Sequence, residues 1–468
     1  MSLEPIGILT ILLGLLCLPL GYRATFGVLM GTALFGAAAA ILVGGANIQP
    51  AHLFLSFAMA AVLARRHEAS AAMRAMSFGQ PGFWLLCLVI FGVGSAVLMP
   101  RLLAGATQIV PLGASEYADT GSTVPLGPVS SNFTQSVYMA ADLACFGITA
   151  AIATTHAGFR AVVAAVLGYC AGNVLLAMLD IGTYATGTQS LLDFMRNARY
   201  TMHADDQVNG VKRIVGSFPE ASAFARATLG AFAFTGTLFL SGRLPMLTGP
   251  MALASLALVV LSTSSTGFAG APLVGLILYA GLLRRSGFQP NRPLSSAAVL
   301  CTPILLVIVI LGVLLDERAS ETARNYVDTL ILNKSSSTSA VERSQWNAAA
   351  LQNFSDSFGF GVGLGTIRTS SFPIALLANV GIPGTAFYLL FAATALFAPL
   401  NGPRTYETDA RLAARNACFA LIIGDTLAAP SVEQGLLFYA LAALACASPR
   451  DHLEGVLLTP SEPSGAKA

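Results

Sequence analysis

Apolar residues run through this chain in long blocks, not in the alternation of strands. Thirteen stretches read as membrane-crossing helices: 6–22, 24–44, 51–64, 83–100, 137–155, 159–180, 222–241, 247–264, 266–283, 297–315, 373–398, 413–429 and 433–447. Crossing a hydrocarbon core takes about 20 apolar residues. The two short stretches, 51–64 and 433–447, therefore leave the expected count at twelve or thirteen. No fixed-period repeat and no soluble domain interrupts the blocks. The expected fold is all-α, a polytopic membrane protein with one integral domain over 1–455. The polar end of the chain, 456–468, has the composition of a disordered cytoplasmic tail. The first apolar run follows MSLEP, which lacks a basic n-region, so it is expected to be a retained helix and not a cleaved signal.

Three long polar segments lie between the blocks: 101–136, 181–221 and 316–372. The first is rich in Pro, Gly, Ser and Thr and reads as irregular loop. The second begins LLDFMRNARYTMHADDQ, which puts Leu191, Phe194, Met195 and Ala198 on one face of an α-helix lying on the bilayer surface. Gly210 ends that helix, Gly216 and Pro219 shape a turn, and a spanning helix starts near Ala221. In the third, Glu317, Glu321 and Arg324 mark a polar helix, and a serine run follows. Ser339 then precedes Glu342 by three, a capping-box signature. The helix it opens, from about 340 to 355, carries Arg343, Trp346, Asn347 and Ala350 along one face.

Composition agrees with a membrane solvent. The 468 residues are 55% hydrophobic and 10% charged, with mean hydropathy +0.71; soluble domains carry about a quarter charged residues. The net charge of +2 decides little, but its placement decides orientation. With thirteen helices, the short loops holding Arg65, Arg66 and Arg74, then Arg284, Arg285 and Arg292, then Arg404 and Arg411 fall on one side. Arg23, Arg160 and Arg243 join them. Positive residues in short loops mark the cytoplasm, so the N-terminus is expected outside and the C-terminus inside. The long segments then face outward. They too hold basic residues: Arg196, Arg199, Lys212, Arg213, Arg318, Arg324, Lys334, Arg343 and Arg368. These are either solvated loop surface or a site for an anionic ligand. All seven cysteines lie in or beside apolar runs, which suggests no disulfide framework, and none of His52, His67, His156, His203 and His452 has ligand spacing. No metal and no cofactor is expected.

The segment 339–384 holds the candidate chemistry. In GFGVGLG, Gly359, Gly361, Gly363 and Gly365 alternate with apolar residues. Such spacing permits close backbone approach, either for packing or for a nest of N–H groups around an anion. No Lys-Ser or Lys-Thr follows, so this is not a P-loop, and it follows a helix, so it is not a dinucleotide fingerprint. Arg213, Arg343 and Arg368 each sit close to the outer face and carry forks suited to phosphate. The alternative is that they pair with Glu220, Glu342 and Asp356. Glu220 reads either as a general base or as an ion-pair partner of Arg226 or Arg213. His203 reads as a base or as a surface residue. Asp142, Asp180, Asp425 and Glu433 lie near helix ends, not mid-membrane, which disfavours a proton-driven transporter.

These motifs, in this order, resemble the O-antigen polymerase and ligase superfamily. The resemblance rests on Arg343 to Trp346, then GFGVGLG, then an apolar helix containing NVGIPG (Asn379–Gly384). It also rests on Arg213 followed by GSFPEASAFA (216–225), and on STSSTGF (Ser262–Phe268) between two spanning helices. The N-terminal half matches by topology alone. The resemblance implies a glycosyltransferase of the GT-C type in the bacterial inner membrane. Such enzymes act on undecaprenyl-diphosphate-linked oligosaccharides at the periplasmic face, without metal or nucleotide sugar. By match to the motifs, Arg213 and Arg343 inherit the grip on the diphosphate, with Arg368 and the glycines 361, 363 and 365 beside them. Ligases of the family carry a His after the glycine motif. Ser370 stands at the matching position here, which points to a polysaccharide polymerase, with the ligase and a lipid-oligosaccharide flippase as alternatives. A chain-length regulator and export machinery are the further partners such an activity implies, and nucleic acid is not one.

The orientation is testable by labelling. Single cysteines introduced into a cysteine-free variant at 205 and 335 should react with a membrane-impermeant maleimide from outside, and cysteines at 70 and 288 should not. Equal labelling of both sets would refute the assignment.

Overall fold

The computed structural model describes residues 2–43, 46–115, 123–198, 202–203, 206–208, 210–286, 293–328, 338–400 and 404–449. The sequence expectations for Arg199, Arg292, Lys334, the serines at 335–337 and the tail lie outside the described residues. Sixteen α-helices dominate them. The first seven are α1 (Pro5–Cys17), α2 (Tyr22–Thr32), α3 (Pro50–Leu63), α4 (Arg66–Ala75), α5 (Pro81–Leu102), α6 (Ser130–Ile152) and α7 (His156–Thr186). Then come α8 (Ala221–Leu240), α9 (Pro245–Leu261), α10 (Ser265–Ser286), α11 (Pro293–Leu315), α12 (Glu317–Val327) and α13 (Thr338–Asp356). The last three are α14 (Phe372–Leu396), α15 (Tyr406–Ala428) and α16 (Leu436–Cys446). Proline at the first or second position opens α1, α3, α5, α9 and α14, where its missing N–H has no intrahelical partner to lose.

Six of these helices are long and apolar enough to cross a membrane: α5, α6, α7, α8, α14, and α10 over Ser265–Arg284. Five shorter apolar helices accompany them, over Pro5–Leu20, Pro50–Leu63, Pro245–Leu261, Val299–Leu315 and Leu436–Cys446. The expected helix 24–44 is helical only to Thr32. Beyond it the small side chains of Ala37–Ala40 let the second polar segment take the backbone. Ala37 N–H donates to Ser217 O at 2.9 Å and Ala39 N–H to Asn197 Oδ1 at 2.9 Å. The chain then pairs as β2 (Ile41–Val43) between β1 (Ser2–Leu3) and β3 (Ala46–Ile48), with Ser2 opposite Leu42 and Ile41 opposite Ile48. Two small hairpins, β4 (Gln108–Ile109) with β5 (Val124–Pro125) and β6 (Gln207–Val208) with β7 (Val211–Lys212), lie in the polar segments.

The expected amphipathic helix over 191–198 is instead a short 3₁₀ turn, Gln189–Met195. A period of three puts Leu192, Met195 and Ala198 in line, and all three are buried, while Leu191 and Phe194 face out. Arg196 has been drawn inward from the surface.

The central pair is α8 against α15, which run antiparallel. Three polar rungs set their register: Arg226 with Asp425, Thr237 with Asn416, and Arg243 with Asp409. From Phe224 to Leu238 all α8 residues except Arg226 and Phe232 are buried, so the helix is enclosed on every side.

Helix α14 is broken at Gly381, whose φ is 63° and ψ −167°. Pro383, two residues on, has no N–H to give, so Asn379 O loses its ordinary helical donor. The glycine loop fills the gap. Val362 N–H donates to Ala378 O at 2.9 Å, Gly363 N–H to Asn379 O at 2.9 Å, and Ile382 N–H returns to Gly359 O at 2.8 Å. The Asn379 side chain closes the other edge, its Oδ1 accepting from Thr366 N–H at 3.1 Å. Gly359, Gly361, Gly363 and Gly365 all have positive φ. A Cβ at Gly361 would lie 2.6 Å from Gly381 N, and one at Gly363 would lie 2.8 Å from Pro100 and from Ser95 O. This seam therefore accepts glycine alone.

Gly381→Ala combines the left-handed backbone with collision against the Phe360 carbonyl. It should cost on the order of 2–4 kcal/mol, read as a lowered thermal midpoint in detergent. Gly168→Ala, in open space on α7, should be neutral or stabilising by up to about 1 kcal/mol. Equal effects from the two would refute the account of the seam.

Candidate functional site

The site is built at the end of the bundle where α7 ends and α8 begins. Asp180, near the end of α7, is fully buried. Its Oδ1 accepts from Arg196 Nη2 at 2.7 Å and Lys212 Nζ at 2.5 Å. Its Oδ2 accepts from Val215 N–H at 3.0 Å and Gly216 N–H at 3.1 Å. One carboxylate thus ties down both arms of the segment 189–216. This accounts for two of the unexplained basic residues: Arg196 and Lys212 hold the loop and are not open to a ligand.

The hairpin that Asp180 anchors presents the next layer. Asp206 and Arg213 face each other at the open end of β6–β7, joined by Arg213 N–H to Asp206 O at 3.0 Å. Their side chains are 3.9 Å apart, Nη1 to Oδ2. The same Asp206 oxygen lies 3.1 Å from His203 Nδ1, which leaves His203 Nε2 as the nitrogen to take a proton. His203 N–H donates to Pro219 O at 2.9 Å, locking this strand to the PEAS turn.

That turn brings in Glu220, at the cap of α8, where it accepts from the Ser222 hydroxyl. From the third polar segment, Arg343 on α13 reaches the same carboxylate, Nη2 to Oε2 at 4.0 Å. Arg343 thus meets Glu220, while Arg213, from a different segment, lies within the field of both. The contact is long, since a hydrogen bond to a carboxylate runs at about 2.7–2.9 Å, so the guanidinium donors are not consumed. Arg213 Nε is buried with no hydrogen-bond partner. Burial lowers the Arg213 pKa, Asp206 and Glu220 pull it back up, and the nearby Arg343 adds a smaller push down. Arg226, the other expected partner of Glu220, is committed elsewhere.

The expected face of α13 is present. Arg343, Trp346 and Asn347 are half-buried and Ala350 is buried. Arg368 is exposed and stacks over the Trp346 ring at 5.0 Å, one turn from Arg343. Asp356, its expected alternative partner, instead accepts from Thr107 at 2.6 Å and Gln352 at 2.7 Å. Ser370 is clasped by Asn347, through Ser370 N–H to Oδ1 at 2.9 Å and Nδ2 to Ser370 Oγ at 3.1 Å.

The glycines take a packing role and not the anion role. Gly361 N–H goes to Ser357 Oγ at 3.0 Å, Gly363 N–H to Asn379 O, and Leu364 N–H to Ser95 Oγ at 3.3 Å. Alternating glycines in a sequence look alike in both roles, because the difference lies in what the N–H groups meet.

Deeper in the bundle is a cluster that sequence reasoning did not assemble. Arg226 forks onto Asp425, with Nη2 to Oδ2 at 2.8 Å, and onto Gln434 O at 2.6 Å. Gln434 Nε2 donates to Asp425 Oδ2 at 3.1 Å, and Gln434 Oε1 accepts from Tyr388 OH at 2.8 Å. Asp142, buried, and Glu433, half-buried, lie within its field. The available signal was that each ionisable residue in an apolar block needs a partner in another block. The partner's identity needed the three-dimensional packing.

Asp180→Asn should leave Arg196 and Lys212 buried without a counter-charge, at about 3–5 kcal/mol. The segment should open, and trypsin should cut after Arg196 and Lys212 while the spanning helices stay intact. Cleavage there at the wild-type rate would contradict the anchoring role.

In comparison with known proteins, no family model matches the chain and no curated protein matches it.

Proposed function

We propose that this chain is a membrane glycosyltransferase that polymerises undecaprenyl-diphosphate-linked oligosaccharides. On this reading it has a GT-C-like architecture of twelve or thirteen spans in a bacterial inner membrane, with the Arg213–Arg343 end facing the periplasm. The observation that carries the reading is one electrostatic cluster built from two segments, Arg213 beside Asp206 and Arg343 beside Glu220. Two positive charges with uncommitted forks, and Arg368 stacked on Trp346 of α13, suit a ligand with two linked phosphates. The resemblance of both arginine motifs to the O-antigen polymerase and ligase superfamily supports the same conclusion.

In the proposed reaction a sugar hydroxyl of one lipid-linked repeat attacks the anomeric carbon of the growing glycan. The bond between that carbon and the diphosphate oxygen breaks, the new glycosidic bond forms, and the electron pair leaves with the lipid diphosphate. Arg213 and Arg343 stabilise that developing charge. The hydroxyl proton passes to His203 Nε2, with Asp206 behind Nδ1. Glu220 is less suited to this role than its sequence position implies. It is held by Ser222 and meets Arg343, so its part is to orient that arginine while no ligand is bound. The clasp of Ser370 by Asn347 favours polymerase over ligase, because no base stands where ligases carry a His.

Purified protein supplied with lipid-diphosphate-linked repeats should produce a ladder of longer glycans. Arg213→Lys and Arg343→Lys should each lower chain growth by on the order of 10²-fold, since Lys cannot grip bidentately. His203→Ala should be as slow and be partly restored by added imidazole. Full activity in both arginine variants would sink the diphosphate assignment. Passage of labelled lipid across the bilayer with no ladder would favour the flippase instead.

A further inference from the structure

A second group of arginines lies at the opposite end of the bundle. Helix α15 starts beside Arg243 of the α8 terminus, through Asp409, and finishes beside Arg226, through Asp425. Its first half therefore lies about 20–33 Å from Glu220 along the helix axes. Arg411 and Arg415 occupy that half, one turn apart on one face. Arg284 ends the apolar part of α10, which packs on α15. Arg284 and Arg411 are the charged groups whose fields reach Arg415.

None of the three has a carboxylate partner among the described residues, in contrast to Arg243 and Arg226. Arg411 uses two nitrogens as a cap, with Nε to Ala445 O at 3.0 Å and Nη2 to Pro399 O at 3.3 Å. Among the described residues, Arg415 Nε is buried with no hydrogen-bond partner. At 1.5 Å per residue, Arg415 lies about 9 Å further along the helix axis than the paired Asp409. A guanidinium that deep, beside two more, is expected to meet an anion, because intramembrane charges pair or mark a site. An apolar stripe leads to the group. Leu273, Ile277 and Ala280 stand on the α10 face that ends in Arg284, and Leu273 is 46% exposed.

We propose that Arg284, Arg411 and Arg415 bind the phosphate of an anionic phospholipid, with its acyl chains along the Leu273–Ala280 stripe. The chemistry is a phosphodiester held by guanidinium forks above hydrocarbon, as in basic pockets between spanning helices on the cytoplasmic side. The site is separate from the Arg213–Arg343 cluster and stands whether or not that cluster transfers sugars.

The test is native mass spectrometry and thermal melting of the full chain in detergent, with phosphatidylglycerol, phosphatidylcholine or inorganic phosphate added. The wild type should keep one phosphatidylglycerol and melt at higher temperature with it, and do neither with phosphatidylcholine or inorganic phosphate. An Arg411→Gln, Arg415→Gln double variant should retain at least tenfold less. Arg284→Gln, at an exposed helix end, should lose part of the retention while melting like the wild type without lipid, which separates lipid binding from folding. Unchanged retention in both variants would overturn the site. An equal response to inorganic phosphate, or to phosphatidylcholine, would overturn the lipid assignment.

Discussion

A helix broken inside an apolar bundle must find partners for the carbonyls and N–H groups it releases, and the rest of the outer structure follows from how α14 does so. At Gly381 the partners come from the glycine loop, which enters the break and bonds to Ala378, Asn379 and Ile382. Unsatisfied backbone groups are tolerated poorly in such surroundings, so the loop has one position. The loop fixes α13 on one side and Arg368 on the other. Arg343, Trp346 and Asn347 stand where they do because α13 ends in a loop that cannot slide. The glycines that look like ligand-binding residues thus act one step back, as the mount for the side chains that are free to bind.

The arginines sort into two groups by what surrounds them. Arg196 and Arg226 are consumed by buried carboxylates at 2.7–2.8 Å, and Arg243 by Asp409 at 2.8 Å. These hold loops and helices in register, and removing one partner would leave an uncompensated buried charge. Arg213 and Arg343 at one end, and Arg411 and Arg415 at the other, have long contacts, backbone partners or no partner. The difference is one of commitment and not of charge, and it separates the arginines that build the fold from those left to meet something outside it.

Much of the fold was legible from apolar block length, because hydrocarbon-length helices leave a strong one-dimensional signal. The failures have local causes. The run 24–44 has the apolarity of a span, but four small alanines invite hydrogen bonds from Asn197 and Ser217 that outcompete helix. The segment 191–198 has an amphipathic pattern, but Asp180, distant in sequence, pulls Arg196 inward and imposes a tighter period. For the site, motif order joined Arg213, Glu220 and Arg343, and the helical face of Arg343 and Trp346 followed from spacing. The Arg226–Asp425 fork depended on a tertiary neighbour that no spacing encodes, whereas His203 and Asp206 pair locally, three residues apart. Glu220 and Arg226 are close in sequence and were natural partners; α15 took Arg226 instead.

Helix α7 has 31 residues. At 1.5 Å per residue it is about 46 Å long, well beyond a hydrocarbon thickness of about 30 Å even with an ordinary tilt. Asp180 lies 24 positions after His156, so it stands about 36 Å along that axis. In a bilayer, α7 would carry the anchored hairpin clear of the acyl chains and into the layer where lipid phosphates lie. The excess length of one helix then sets the working height of the site. Shortening α7 by two turns would leave every side-chain contact nominally available and lower the arginines into oil.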